Sequence, residues 1–191
     1  MISYPKYIEY DGKRYGINTD FRVALRVLDI IEDDSISDYE RSIGVIVSLF
    51  GRECPVNNGT LKLAEKYLQC GIPRTEHKQR EPDMDFNYDS RYIVSSFQKE
   101  YGIDIVEGGM HWWKFFSLVE GLGEDCVLSR VRQLRNEDIG AIKDSKARRK
   151  LAEAKKQVAL PTKYTKEQRE RREEFMRELK GSGKESEKIV K

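Results

Sequence analysis

Apolar residues return at a three-and-four-residue spacing along most of this chain, and that period confines it to a mainly helical fold. Phe21, Ala24, Leu25, Leu28 and Ile31 fall at i, i+3, i+4, i+7 and i+10, behind Thr19 or Asp20 as a helix cap. Tyr39, Ile43, Ile46, Val47 and Phe50 form a second stripe. Ser37 and Glu40 precede it at capping-box spacing, and Gly51 stops it. Leu61, Ala64 and Leu68 predict a third helix over about 60–70 that ends at Gly71. Asp89 or Ser90 opens a fourth, with Tyr92, Ile93, Phe97 and Tyr101 inward and Gly102 as its stop. Trp112, Phe115, Phe116 and Val119 make an aromatic-rich fifth that stops near Gly121. Val127, Leu128, Val131 and Leu134 give a short sixth, and Ala147, Leu151, Ala154 and Val158 a longer basic seventh.

One local signal breaks the helical rule. Tyr7-Ile8-Glu9-Tyr10 and Lys13-Arg14-Tyr15-Gly16-Ile17 are β-prone runs on either side of Asp11-Gly12. Asp-Gly tolerates the two positive φ angles of a type I′ turn, so residues 6–18 predict a β-hairpin. The expected fold class is therefore mainly α, a multi-helix protein with a small N-terminal β-hairpin. Residues 1–71 and 86–161 read as two helical halves free to share one core. Between them, 72–85 is a polar linker bracketed by Pro73 and Pro82, and 162–191 is a charged helix leading into a disordered end.

Composition narrows the function classes. With 38% apolar residues in 191, a sizeable core is available. No apolar run approaches the ~18 residues of a membrane span, and Met1–Lys6 has no export pattern. The expectation is a soluble protein of the cytoplasm with no membrane partner. Cys54, Cys70 and Cys126 are odd in number, widely spaced and free of any C-x-x-C, which argues against a disulfide framework or a zinc knuckle.

Charge is unevenly distributed. Residues 1–71 carry 9 Lys/Arg against 11 Asp/Glu, and residues 72–124 carry 6 against 10. Residues 125–191 carry 20 against 12, a balance of +8 in a chain whose total is +2. A basic third of this kind suits nucleic acid, an acidic partner, or the chain's own acidic portion.

The chemistry-bearing motifs are few. Asp83, Asp85, Asn87 and Asp89 alternate like the start of a calcium loop, but Tyr88 and Val94 occupy the positions where an EF-hand needs Gly and a bidentate Glu. His77 and His111 lie at no metal or nucleophile spacing. His111, just before Trp112-Trp113, reads as a polar contact at a helix start. Gly181-Ser182-Gly183-Lys184 has neither the earlier glycine nor the preceding strand of a phosphate loop. No catalytic, metal or cofactor residues are expected, and the chain reads as a non-enzyme. Interaction is the alternative to catalysis. Trp113 and Lys114 point away from the aromatic stripe and are candidates for a partner or homo-oligomer surface. Lys146, Arg148, Arg149, Lys150, Lys155 and Lys156 cover much of the basic helix, and Arg148, Arg149 and Lys150, with Phe175 and Leu179 of the tail, are further candidates for a partner interface. Phosphate contacts need such charge, yet no nucleic-acid motif accompanies it and Glu170, Glu173 and Glu174 interleave, so nucleic acid ranks behind protein.

Several ordered blocks together resemble a bacteriophage tail-gene family, the gene-product-fifteen family. They are Ile17-Asn18-Thr19-Asp20-Phe21-Arg22-Val23, Asp85-Phe86-Asn87-Tyr88-Asp89, Tyr101-Gly102-Ile103-Asp104, His111-Trp112-Trp113-Lys114-Phe115, Leu128-Ser129 and Ala159-Leu160-Pro161. The resemblance covers about 1–161. It implies a protein of long-tailed phages and prophages of Gram-positive bacteria, encoded beside the tape-measure gene. It also implies a tail-assembly chaperone whose partners are the tape-measure and tail-tube proteins, working in the host cytoplasm. The alternatives are a nucleic-acid-binding phage protein using the basic helices and a minor structural component of the tail.

Overall fold

The computed structural model describes residues 3–72 and 82–161. The expected charged helix and disordered end at 162–191, with Phe175 and Leu179, lie outside the described residues, as do 73–81 of the polar segment. Two strands come first, β1 (Tyr7–Tyr10) and β2 (Lys13–Gly16), followed by seven helices among the described residues. These are α1 (Phe21–Glu32), α2 (Asp38–Phe50), α3 (Asn58–Leu68), α4 (Ser90–Tyr101), α5 (Trp112–Glu120), α6 (Val127–Asn136) and α7 (Ser145–Val158), with one 3₁₀ turn at Ile139–Ala141. The fold is mainly α with one antiparallel hairpin, as the periodicity predicts.

The hairpin pairs Tyr7 with Gly16 and Tyr10 with Lys13, and both turn residues take positive φ, 50° at Asp11 and 70° at Gly12. Its seat is less obvious. A Cβ on Gly59 would lie 2.5 Å from the Tyr10 ring, so the start of α3 accepts that ring only because residue 59 is glycine.

Helix starts follow the cap chemistry. Asp20 accepts the Arg22 backbone N–H at 2.9 Å and opens α1. Ser37 and Glu40 form the reciprocal box at α2. α3 begins two residues before the expected position, because Asn57 Oδ1 accepts the N–H groups of Gly59 and Thr60 at 2.9 and 3.1 Å. Its end also differs. The left-handed residue is Cys70 (φ 54°), with the Cys70 N–H on the Tyr67 carbonyl and the Gly71 N–H on the Lys66 carbonyl. That is a Schellman motif whose first left-handed position is a cysteine, with Gly71 (φ 73°) following it. Gly102 (φ 64°) stops α4 as expected.

The stripes themselves are rotated from their expected faces. In α1 the buried residues are Phe21, Ala24 and Val27, while Ile31 is 42% exposed. In α2 they are Val45, Ile46, Leu49 and Phe50, while Tyr39 is 73% exposed and Ile43 and Val47 are half-buried. In α3 they are Thr60, Ala64 and Tyr67, and Leu61 and Leu68 flank the core without being enclosed by it. The cause is width. Each helix carries more apolar positions than its neighbours can cover, and periodicity cannot say which edge of a broad stripe wins. One contiguous core nonetheless joins α1–α3 to α4–α6.

Candidate functional site

The expected site residues begin with the aromatic block on α5, which is built from the helix start upward. His111 Nδ1 accepts the Trp113 N–H at 3.1 Å, so the ring caps α5. Its Nε2 therefore carries the hydrogen and donates to the Pro5 carbonyl at 2.9 Å. The Phe21 N–H donates to the Met110 carbonyl, and the Trp112 N–H to the Thr19 carbonyl at 2.7 Å. Together these bonds tie the starts of α1 and α5 to each other and to Pro5, just ahead of β1. The expected role of His111 as a helix-start contact holds.

Trp112 is 1% exposed and donates from Nε1 to the Leu68 carbonyl at 3.0 Å. Phe115 stacks on Phe21 with ring centroids 4.4 Å apart, and Phe97 and Trp112 flank it at 5.3 and 5.9 Å. Trp113 does not simply point away from this block. It is half-buried, stacks on Tyr67 and donates from Nε1 to the Tyr67 carbonyl at 2.9 Å. A Cβ on Gly71 would lie 3.1 Å from its six-membered ring. Two consecutive indoles thus bond to two of the last carbonyls of α3, that of Leu68 and that of Tyr67, the latter shared with the Cys70 N–H. Lys114 is exposed.

The second expected cluster lies on α7, where none of the fourteen residues is buried. Arg148, Arg149 and Lys150 are all exposed, but they are not equivalent. The Arg148 guanidinium donates twice to the Ile142 carbonyl, at 3.1 and 2.8 Å. Arg149 pairs with Glu153 one turn on at 3.2 Å, with both side chains largely in solvent, an arrangement worth little. The structure does not bring this cluster together with the α5 block into one site.

A feature without a periodic signature is the buried ion pair between α4 and α6. Asp89 is fully enclosed, and Arg135 is bidentate on it, with both N–O distances 2.7 Å. Arg135 also donates to the Asp83 carbonyl at 2.8 Å and to the Val158 carbonyl at 2.6 Å. Asp89 pushes the Arg135 guanidinium above its ordinary value. Asp89, one of the two residues that the sequence offers as the cap of α4, holds the N-cap position. Its carboxylate makes no cap bond there, and instead faces Arg135 and accepts the Asp85 N–H. Asp83, at the far end of the polar segment, is bonded to Arg132 and Asn136. The calcium-like run therefore spends Asp83 and Asp89 on α6, and no carboxylate, His or Cys group suited to a metal occurs among the described residues.

The three cysteines are free thiols, two of them buried. Burial, helped by Glu120, pushes the Cys70 thiol up to about 12, and burial alone raises Cys54. Burial also pulls Cys126 upward, but hydrogen bonds with Ser129, Ser96 and Leu128 outweigh it and leave this thiol below its ordinary value. Cys126 Sγ caps α6 by accepting the Ser129 N–H at 3.4 Å.

The family described as bacteriophage Gp15 protein matches residues 3–160 of the chain. No curated protein matches it, and neither does any solved structure.

Proposed function

Because the chain belongs to the bacteriophage Gp15 protein family, we propose that it is a phage tail-assembly protein that works by binding, as a non-enzymatic chaperone of the tape-measure protein. The observation that carries this reading is the family match over residues 3–160, which makes the chain a phage protein. The resemblance of its ordered blocks to a tail-gene family supplies the rest. The chaperone would hold the long tape measure soluble in the host cytoplasm and help to recruit the tail-tube protein.

The engagement of the reactive side chains supports a binding role. His111 is committed to a cap and to Pro5, Cys126 to a cap, and Asp89 to Arg135. A chaperone needs repeated weak contacts along an extended partner, and several copies on one tape measure would gain by multivalency.

The test is co-expression with the neighbouring tape-measure protein, then affinity capture and sizing. Co-purification with a gain in soluble tape measure is expected. Equal solubility without this protein overturns the proposal. Retention of nucleic acid instead, lost on charge reversal at Arg148, Arg149 and Lys150, would move the assignment to the basic helices. Mass spectrometry of purified virions should find the chain absent, and its presence would make it a structural tail component.

A further inference from the structure

A cavity of about 470 Å³ opens where the end of α6 meets one edge of α7, a volume within the range of small-ligand sites. Ala152, Lys155, Lys156 and Ala159 line it at i, i+3, i+4 and i+7, so a single edge of α7 forms one wall. Arg135 and Asn136 of α6 form another. The Arg135 side chain is only 7% exposed, so a buried guanidinium lies at this cavity. Of its five N–H groups, four are engaged, by the Val158 and Asp83 carbonyls and by both Asp89 oxygens. Those bonds fix the guanidinium in place before any ligand arrives.

The charges around the cavity do not cancel. Asp83 is the one carboxylate among the lining residues, and its two oxygens are taken by Arg132 and Asn136. Asp89 balances Arg135. Lys155 donates one N–H to the Glu137 carbonyl and keeps two, while Lys156 has no partner among the described residues. Two ammonium groups therefore stand at the cavity with no carboxylate to balance them. Pro82, Ala152, Ala159 and Leu160 add apolar surface beside them.

We propose that this cavity between α6 and α7 binds a small organic anion of the phosphate-monoester class, two negative charges carried on a small apolar body. Two lysines meet a phosphate dianion as point charges. They lack the planar fork with which a free arginine would favour a carboxylate. Alanine and proline walls leave room for only a small apolar group. The proposal stands apart from the tape-measure reading, because it holds whichever protein the chain binds.

The probe is phenyl phosphate, titrated into the isotope-labelled full chain by heteronuclear NMR. Ionic strength is held constant, at about pH 7.5, where a phosphate monoester is mostly a dianion. Amide shifts are expected at Arg135, Asn136, Ala152 and Lys156, with a dissociation constant on the order of 1 mM. Inorganic phosphate should bind about tenfold more weakly, because it leaves the apolar walls uncovered. Benzyl alcohol has the ring without the charge and should shift nothing there. Lys156→Gln changes an exposed side chain and should weaken phenyl phosphate about tenfold. Ala152→Leu, at an exposed helix position that tolerates leucine, fills the cavity without changing its charge and should abolish binding. Lys146→Gln removes the same charge from α7 outside the cavity and should leave the affinity within about twofold.

No shift at the cavity with about 10 mM phenyl phosphate overturns the proposal. Equal binding of phenyl phosphate and inorganic phosphate also overturns it, since that marks an adventitious ion only. So does an effect of Lys146→Gln as large as that of Lys156→Gln, or binding that survives Ala152→Leu.

Discussion

The shorter helix α5 and the longer helix α7 are held by opposite means. Nine residues of α5 place Trp112, Phe115 and Val119 in the core, and its start is tied to α1, to Pro5 and to the end of α3. None of the fourteen residues of α7 is fully buried, and its apolar residues Leu151, Ala154 and Val158 are only half-buried. That helix is attached through polar pins: Arg135 on the Val158 carbonyl, Lys155 on the Glu137 carbonyl and Arg148 on the Ile142 carbonyl. Apolar area removed from water contributes in proportion to its extent, whereas an exposed hydrogen bond largely exchanges one water contact for another. Helix length and helical propensity therefore do not rank the elements of this molecule by stability.

The largest blow to this contrast is Trp112→Ala, which removes both a buried indole and the partner of the Leu68 carbonyl. It should cost about 5 kcal/mol, at the top of the range for such truncations, read from the denaturant midpoint. Arg135→Ala comes next, at about 3–4 kcal/mol, because it strands the enclosed Asp89 carboxylate. It should also loosen α7, whose final carbonyl it holds. Arg135→Lys should restore little of this, since an ammonium cannot bridge both carboxylate oxygens.

A smaller effect concerns the tie between α1 and α5. The Arg22 side chain holds the Asp20 carboxyl below its ordinary value against a weaker opposing effect of burial, and the Arg22 backbone N–H adds to the lowering. The folded value lies below the unfolded one. The stability it contributes is thus complete above about pH 4 and lost as pH falls through the folded value. Asp20→Asn should accordingly flatten the part of the stability–pH profile that this group causes below about pH 4, as denaturant midpoints measured pH by pH would show. The smallest effect on global stability is Arg148→Ala, within about 0.5 kcal/mol. In amide exchange, however, α7 should open well before α5 in the wild type and earlier still in this variant. Equal protection of the two helices would end the comparison.

How much of this was legible beforehand depends on the range of each interaction. The Asp11-Gly12 hairpin, the Ser37–Glu40 box and the Gly102 stop are decided within a few residues, and each stands where the sequence places it. Helix existence is legible for the same reason, since the 3.6-residue period survives without tertiary context. The buried face is not. Ile31 and Tyr39 sit on sound apolar stripes yet face solvent, because which edge of a stripe is covered depends on helices that arrive from elsewhere in the chain.

Two other features fall on the long-range side. Trp113 reads as an outward anchor from its own helix, and only the approach of the α3 end supplies the Tyr67 carbonyl that engages it. Asp89 and Arg135 are 46 residues apart, and nothing local distinguishes them from the other carboxylates and arginines of a highly charged chain. Sequence alone thus set the fold class, the element order and most helix ends, because caps and turns act over one to five residues. The buried faces and the Asp89–Arg135 clamp depend on pairs of residues far apart in sequence, whose meeting is settled by how the helices pack together.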